Sequence, residues 1–152
     1  DFFAYYEDID ISFRAQLRGF YVYYEPRALV WHAIGATSSK IPGFTAYHST
    51  KNNLWVPLKN LPFFLLIRYC PRFWLAFSLL IINQVKQGNL KPVSKGVAVA
   101  LLLLPKKILQ RWIIQTKRRV DTAYIDSILV HDLPPDRKKL RKLRDKLRFW
   151  DK

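Results

Sequence analysis

Between Lys51 and Arg119 the chain carries thirteen lysines and arginines and not one aspartate or glutamate. The same stretch holds the longest apolar runs, "LPFFLLIRYCPRFWLAFSLLIIN" at 61–83 and "VAVALLLLPKKILQRWII" at 97–114. Almost the whole positive excess thus sits in the most apolar part of the chain, a pairing that narrows the choice of partner. A spanning helix needs about 20 mostly apolar residues, and a central Arg or Lys costs roughly 2.5 to 3.5 kcal/mol. Arg68, Pro71 and Arg72 interrupt the first run, and Pro105, Lys106 and Lys107 the second. Both therefore read as basic amphipathic helices in the plane of lipid headgroups, apolar faces down and cations snorkelling to phosphate. The closing "DRKKLRKLRDKLRFWDK" sets Leu140, Leu143, Leu147 and Trp150 on one face and predicts a third such helix.

The flanks are nearly balanced by comparison. Residues 1–50 hold five acids and four bases, and residues 120–152 hold nine bases and six acids, so the formal charge of +15 comes almost wholly from the middle. This distribution argues against a nucleic-acid-binding module, because the bases flank Leu, Ile and Phe runs that a solvated RNA-binding face would not expose. A non-catalytic membrane anchor or scaffold fits the middle block as well as an enzyme does. Cys70 is the one cysteine, which favours a reducing compartment and cytoplasmic exposure. The chain opens on Asp1, contains no Met, and starts as if inside a folded element, so it is expected to be the C-terminal piece of a longer protein.

The first fifty residues carry the chemistry. Ile9, Phe13 and Leu17 recur at helical spacing, with Gly19 placed to end the helix, so Glu7, Asp8 and Asp10 cluster at a helix N-terminus, where negative charge is favoured. Asp10 and Arg14, four apart, are placed to form an ion pair that stiffens the turn. "FYVYYEP" at 20–26 and "RALVWH" at 27–32 are aromatic and β-branched, and predict two short strands joined by a turn at Glu25-Pro26. "AIGATSSKIPG" reads as a loop, and "FTAYHSTKNNLWVPLKNLP" as a helix interrupted by Pro57 and Pro62. Read alone, Glu7-Asp8-x-Asp10 is a solvated helix start, and His32 a hydrogen-bonded structural histidine.

"FFAYYEDIDISFR" resembles the F-F-x-Y-x-E-D-x-D-L-x-x-R stretch of family 2 glycosyltransferases that build bacterial polysaccharides, including rhamnosyl- and galactofuranosyl-transferase relatives. Phe2, Phe3, Tyr5, Glu7, Asp8, Asp10 and Arg14 match, and Ile11 stands for Leu. "GFYVYYEPRALVWHAIGATS" is similar to the G-x-x-x-x-Y-x-P-x-A-x-V-x-H-x-x-G-x-S segment of the same family, through Gly19, Tyr24, Pro26, Ala28, Val30, His32 and Gly35. "YHSTKNNLW" is similar to its Y-x-x-x-R-N-x-x-W, with Lys51 in place of Arg beside Asn52.

The resemblance implies an α/β GT-A fold, with residues 1–60 forming the acceptor-side, C-terminal part of the catalytic domain. Residues 61–119 would follow as membrane-associating helices and 120–152 as the basic amphipathic C-terminal helix. It implies inverting transfer of a sugar from a nucleotide-sugar to a saccharide or lipid-linked acceptor, at the cytoplasmic face of a membrane, in cell-surface polysaccharide synthesis. Asp8 would be the general base, within a catalytic cluster that includes Glu7 and Asp10. His32 would ligate a Mn2+ or Mg2+ ion, and Lys51 and Asn52 would contact the donor phosphates. A carboxylate held against the acceptor hydroxyl suits proton removal, and a divalent cation suits a diphosphate leaving group. The 152-residue chain by itself would lack the donor half and transfer nothing.

Overall fold

The computed structural model describes residues 2–31, 35 and 38–131. His32 and the predicted C-terminal helix at 136–152 lie outside the described residues. The described chain is helical: α1 (Glu7–Leu17), a 3-10 turn (Ser38–Lys40), α2 (Phe44–Asn60), α3 (Phe63–Arg68), α4 (Cys70–Lys86), α5 (Leu90–Leu102), α6 (Leu104–Thr116) and α7 (Thr122–Ser127).

The expected α/β architecture is not what forms: among the described residues there is no strand and no sheet. The two segments expected as strands carry no regular secondary structure over 20–31 and turn at Pro26-Arg27, and among the described residues nothing pairs with them. Their backbone bonds are local, Phe20 N–H to Ala15 O at 3.0 Å and Ala28 N–H to Glu25 O at 3.1 Å. Tyr21, Tyr23, Tyr24, Leu29 and Val30 are exposed, and Trp31 is 100% exposed. The physical reason is that β-propensity is a preference for a pleated, half-buried surface. The helices around these segments spend their own backbone groups internally and offer no ladder.

Each of the two interrupted apolar runs becomes a pair of helices. Pro71 and Pro105 sit in the first turns of α4 and α6, where a missing N–H costs nothing, so they start helices while ending the previous ones. Pro57, by contrast, lies inside α2, which continues to Asn60 and stops before Pro62. No helix among the described residues is long and apolar enough to cross a membrane.

α2 is the axis, packed most extensively on α5 and then on α6, with α1 and α4 against it. Its contact with α5 depends on Gly96: a Cβ there would stand 2.8 Å from the Tyr47 carbonyl oxygen and 3.2 Å from Thr50 Cβ. A second core gathers Leu17 of α1, Leu61, Leu65 of α3 and Ile125 of α7, with Phe13, Ile114 and Tyr124 packed around them. Side chains from the first 60 residues, the middle block and the segment after 120 thus share one interior.

Candidate active site

α1 begins in a strained turn. Tyr5 (φ 66°) and Tyr6 (φ 69°) are consecutive non-glycine residues in the left-handed region, a conformation that persists only when surrounding contacts impose it. α2 supplies those contacts. Asn52 Nδ2 donates to the carbonyls of Ala4 and Tyr5, each at 2.8 Å, and Asn53 Nδ2 donates to the Tyr6 hydroxyl at 2.6 Å. The Tyr5 hydroxyl hydrogen-bonds Thr45 Oγ1 at 2.8 Å, and these hydroxyl bonds, with Ser38 as the larger contributor, draw its pKa below the usual phenol value.

The three carboxylates that follow are sorted by this turn. Asp10 is 2% exposed and fully engaged: Oδ1 meets Lys59 Nζ at 3.1 Å and Asn60 Nδ2 at 2.8 Å, and Oδ2 meets Arg14 Nε at 3.0 Å. The ion pair expected between Asp10 and Arg14 is present, and Lys59 and Asn60, which local spacing could not reveal, complete it. Glu7 and Asp8 are exposed. Asp8 Oδ1 accepts the Ile9 N–H at 2.8 Å, and the side chain lines a cavity of about 360 Å3 with Ser12, Gln16, Val22, Ile128 and Leu129. Asp8, Ser12 and Gln16 follow one another at i, i+4 and i+8, so one wall of the cavity is a row of oxygen-bearing side chains.

Beneath the turn lies a chamber of lysines and rings. Lys51 Nζ stands 5.0 Å from the centroids of both Tyr47 and Trp55, Lys59 Nζ 4.5 Å from Phe2, and Lys107 Nζ 4.0 Å from Trp55. Ring faces attract cations, which offsets part of their desolvation. Burial still dominates: it lowers the pKa of Lys51 and Lys59, and with neighbouring Lys59 it brings Lys107 down to about 8. Arg111 Nη1 donates to the carbonyls of Leu58 at 2.6 Å and Leu61 at 2.7 Å, capping the end of α2.

Of the residues singled out in the sequence, Glu7 and Asp8 are brought to the surface, Asp10 to the interior, Asn52 to the underside of the acidic turn, and Lys51 to the rings of Tyr47 and Trp55. Asn52 is fully buried and spends its amide N–H groups on the motif backbone. His48 packs 4.4 Å from Phe44, and burial followed by nearby Lys51 lowers its pKa. Among the described residues no three His, Cys, Asp or Glu side chains converge as a metal site, and His32 is outside them. Thr45, Asn53, Lys59 and Lys107 carried no local signal: each reaches across 40 or more residues of sequence, where periodicity has nothing to report.

Compared with protein-family models, curated proteins and solved structures, the chain matches none.

Proposed function

We propose that this chain contributes the acceptor side of an inverting glycosyl transfer carried out at a membrane surface, with Asp8 as general base. The observation that carries this reading is the sorting of carboxylates by the Tyr5-Tyr6 turn. Strain held by Asn52, Asn53 and Thr45 buries Asp10 as a structural ion pair and leaves Asp8 facing a cavity. Strained backbone of this kind gathers at sites where geometry matters more than stability. An open depression of about 360 Å3 falls within the roughly 300–1,000 Å3 of small-molecule sites, and the Ser12 hydroxyl and the Gln16 amide N–H groups, its Oε1 being held by the Tyr124 hydroxyl, offer hydrogen bonds to sugar hydroxyls.

In the proposed step an acceptor hydroxyl, held against Ser12 and Gln16, gives its proton to the Asp8 carboxylate as its oxygen bonds the anomeric carbon. The bond from that carbon to the donor phosphate breaks, and the nucleoside diphosphate leaves with the electron pair. Glu7, next to Asp8 in sequence but outside the cavity lining, takes no part in the step. A divalent cation, with His32 as the ligand proposed from this chain, would neutralise charge on the leaving group. The exposed apolar and cationic helices of the middle block support placing this chemistry on an anionic leaflet.

The test is transfer from radiolabelled nucleotide-sugar in membranes of the native source expressing the complete gene. Asp8→Asn keeps the shape and loses the proton acceptor, so activity falls by about 10²- to 10⁴-fold while donor binding is retained. Activity within a few-fold of wild type overturns the assignment. His32→Ala in the same assay raises the metal concentration required, and an unchanged requirement removes His32 from the metal.

A further inference from the structure

A groove of about 630 Å3 runs beside the α2–α5 contact, and its walls are almost wholly hydrocarbon. Leu58 and Trp55 form its floor, Phe73 and Ala76 one side and Leu101 and Leu104 the other. Among the described residues no acidic side chain lines it, and its cationic rim is Arg72, whose Nη1 donates to the His131 carbonyl at 2.9 Å. The groove does not end in polar surface. Trp74 and Leu101, both in its lining, are 51% and 60% exposed and lead onto the apolar faces of α4 and α5.

We infer that this groove takes one aliphatic chain of an anionic lipid, the hydrocarbon lying between α4 and α5 and the phosphate at the Arg72 rim. Shape and chemistry call for an apolar occupant, since an extended peptide would leave its backbone polar groups unpaired against these walls. Charge chooses among apolar occupants. The helices that frame most of the groove, α2 to α6, fall in the segment from 51 to 119 or just before it, where the sequence places thirteen bases and no acid; Leu129, Val130 and His131 close one end, where Asp126 is held by Tyr69 and Arg68. A second copy of a chain with formal charge +15 would be repelled there, whereas an anionic headgroup is attracted. Lipid bound this way does more than charge the surface: it draws one chain out of the leaflet and fixes the height and tilt of the protein on the membrane. The inference needs neither Asp8 nor glycosyl transfer, and its test does not use them.

Purified protein is titrated calorimetrically with dodecyl phosphate below its critical micelle concentration, in parallel with octyl phosphate, inorganic phosphate and dodecyltrimethylammonium. One saturable site per chain is expected, with affinity rising roughly two- to fourfold per methylene from octyl to dodecyl. The ammonium amphiphile and inorganic phosphate should bind at least about tenfold more weakly. Ala76→Trp and Leu101→Trp each fill the groove from a different helix at exposed positions, and both should weaken dodecyl phosphate by about tenfold with unchanged thermal midpoint. Agreement between the two guards against a folding defect in either. Many weak sites per chain, or affinity indifferent to both variants, overturns the inference. So does equal affinity for the ammonium amphiphile. Self-association that both variants abolish, without alkyl phosphate binding, would assign the groove to a second copy.

Discussion

Lys107 is 1% exposed, stacked over Trp55 and 5.9 Å from the Phe2 ring, and its pKa is brought down to about 8 by burial and by the neighbouring Lys59. The unfolded chain binds this proton up to about pH 10.4, the ordinary lysine value, while the folded chain releases it near pH 8. Between those limits the unfolded state holds more protons, so stability rises with pH, by on the order of 2 kcal/mol from pH 8 to 10. Lys51 and Lys59 are shifted in the same direction and add to the rise. In urea titrations, wild type should therefore gain stability over this window, and Lys107→Met should gain distinctly less. Equal gains would mean that the Lys107 ammonium is solvated. Asp10 is the counterpart among acids: three groups hold it, so its role is to fix α1 on α2, while Asp8 two residues earlier is left facing the cavity.

At the scale of elements, the α2–α5 contact is a close approach that rests on a missing side chain. A Cβ at position 96 would meet the Tyr47 carbonyl, part of the α2 backbone, which cannot yield as a side-chain tip can. Replacing Gly96 by Ala gains up to about 1 kcal/mol of helix propensity in α5, but forcing the helices apart costs about 1–3 kcal/mol. Gly96→Ala should lower the thermal midpoint, Gly96→Val should lower it further, and Ala98→Gln on the exposed face of α5 should leave it nearly unchanged. A Gly96→Ala variant more stable than wild type would show that the two helices can separate at little cost. Pro71 and Pro105 act on the same scale, dividing two long apolar stretches into helices of 6, 17, 13 and 13 residues. Such lengths suit packing on α2 and surface contact.

The molecule as a whole joins a large positive charge to exposed hydrocarbon. Trp74, Leu75, Leu79 and Ile82 on α4, and Ile108, Leu109, Trp112 and Ile113 on α6, are all exposed. Each Lys or Arg near an anionic leaflet contributes about 1 kcal/mol, an attraction that fades within a Debye length as salt rises. In flotation assays the protein should bind vesicles containing phosphatidylglycerol in preference to phosphatidylcholine vesicles. High salt should release a substantial part, and Trp74→Ala combined with Leu79→Ala should release most of the remainder. Equal binding to both vesicle types, with no response to salt, would exclude charge as the source of attachment.

Several features were legible in the sequence because their causes are local. Ile9, Phe13 and Leu17 with Gly19 mark α1, and the structure runs that helix from Glu7 to Leu17 with Gly19 at φ 81°. Prolines mark where the apolar runs divide, and Asp10 and Arg14 pair because one helical turn separates them. The aromatic segments at 20–31 show the limit of such reading. β-propensity is a property of the residues themselves, but a strand is a property of a pair, and the described residues supply no partner. The sequence set Asp10 on Arg14 and Asp8 apart from it, but that Asp10 would be buried and Asp8 exposed was not legible. It is decided by Asn60 and Lys59, some fifty residues away, and by the tyrosine turn that Asn52 holds in place. Which of two neighbouring carboxylates is buried depends on what the opposite helix presents, and only the tertiary fold brings that helix into contact.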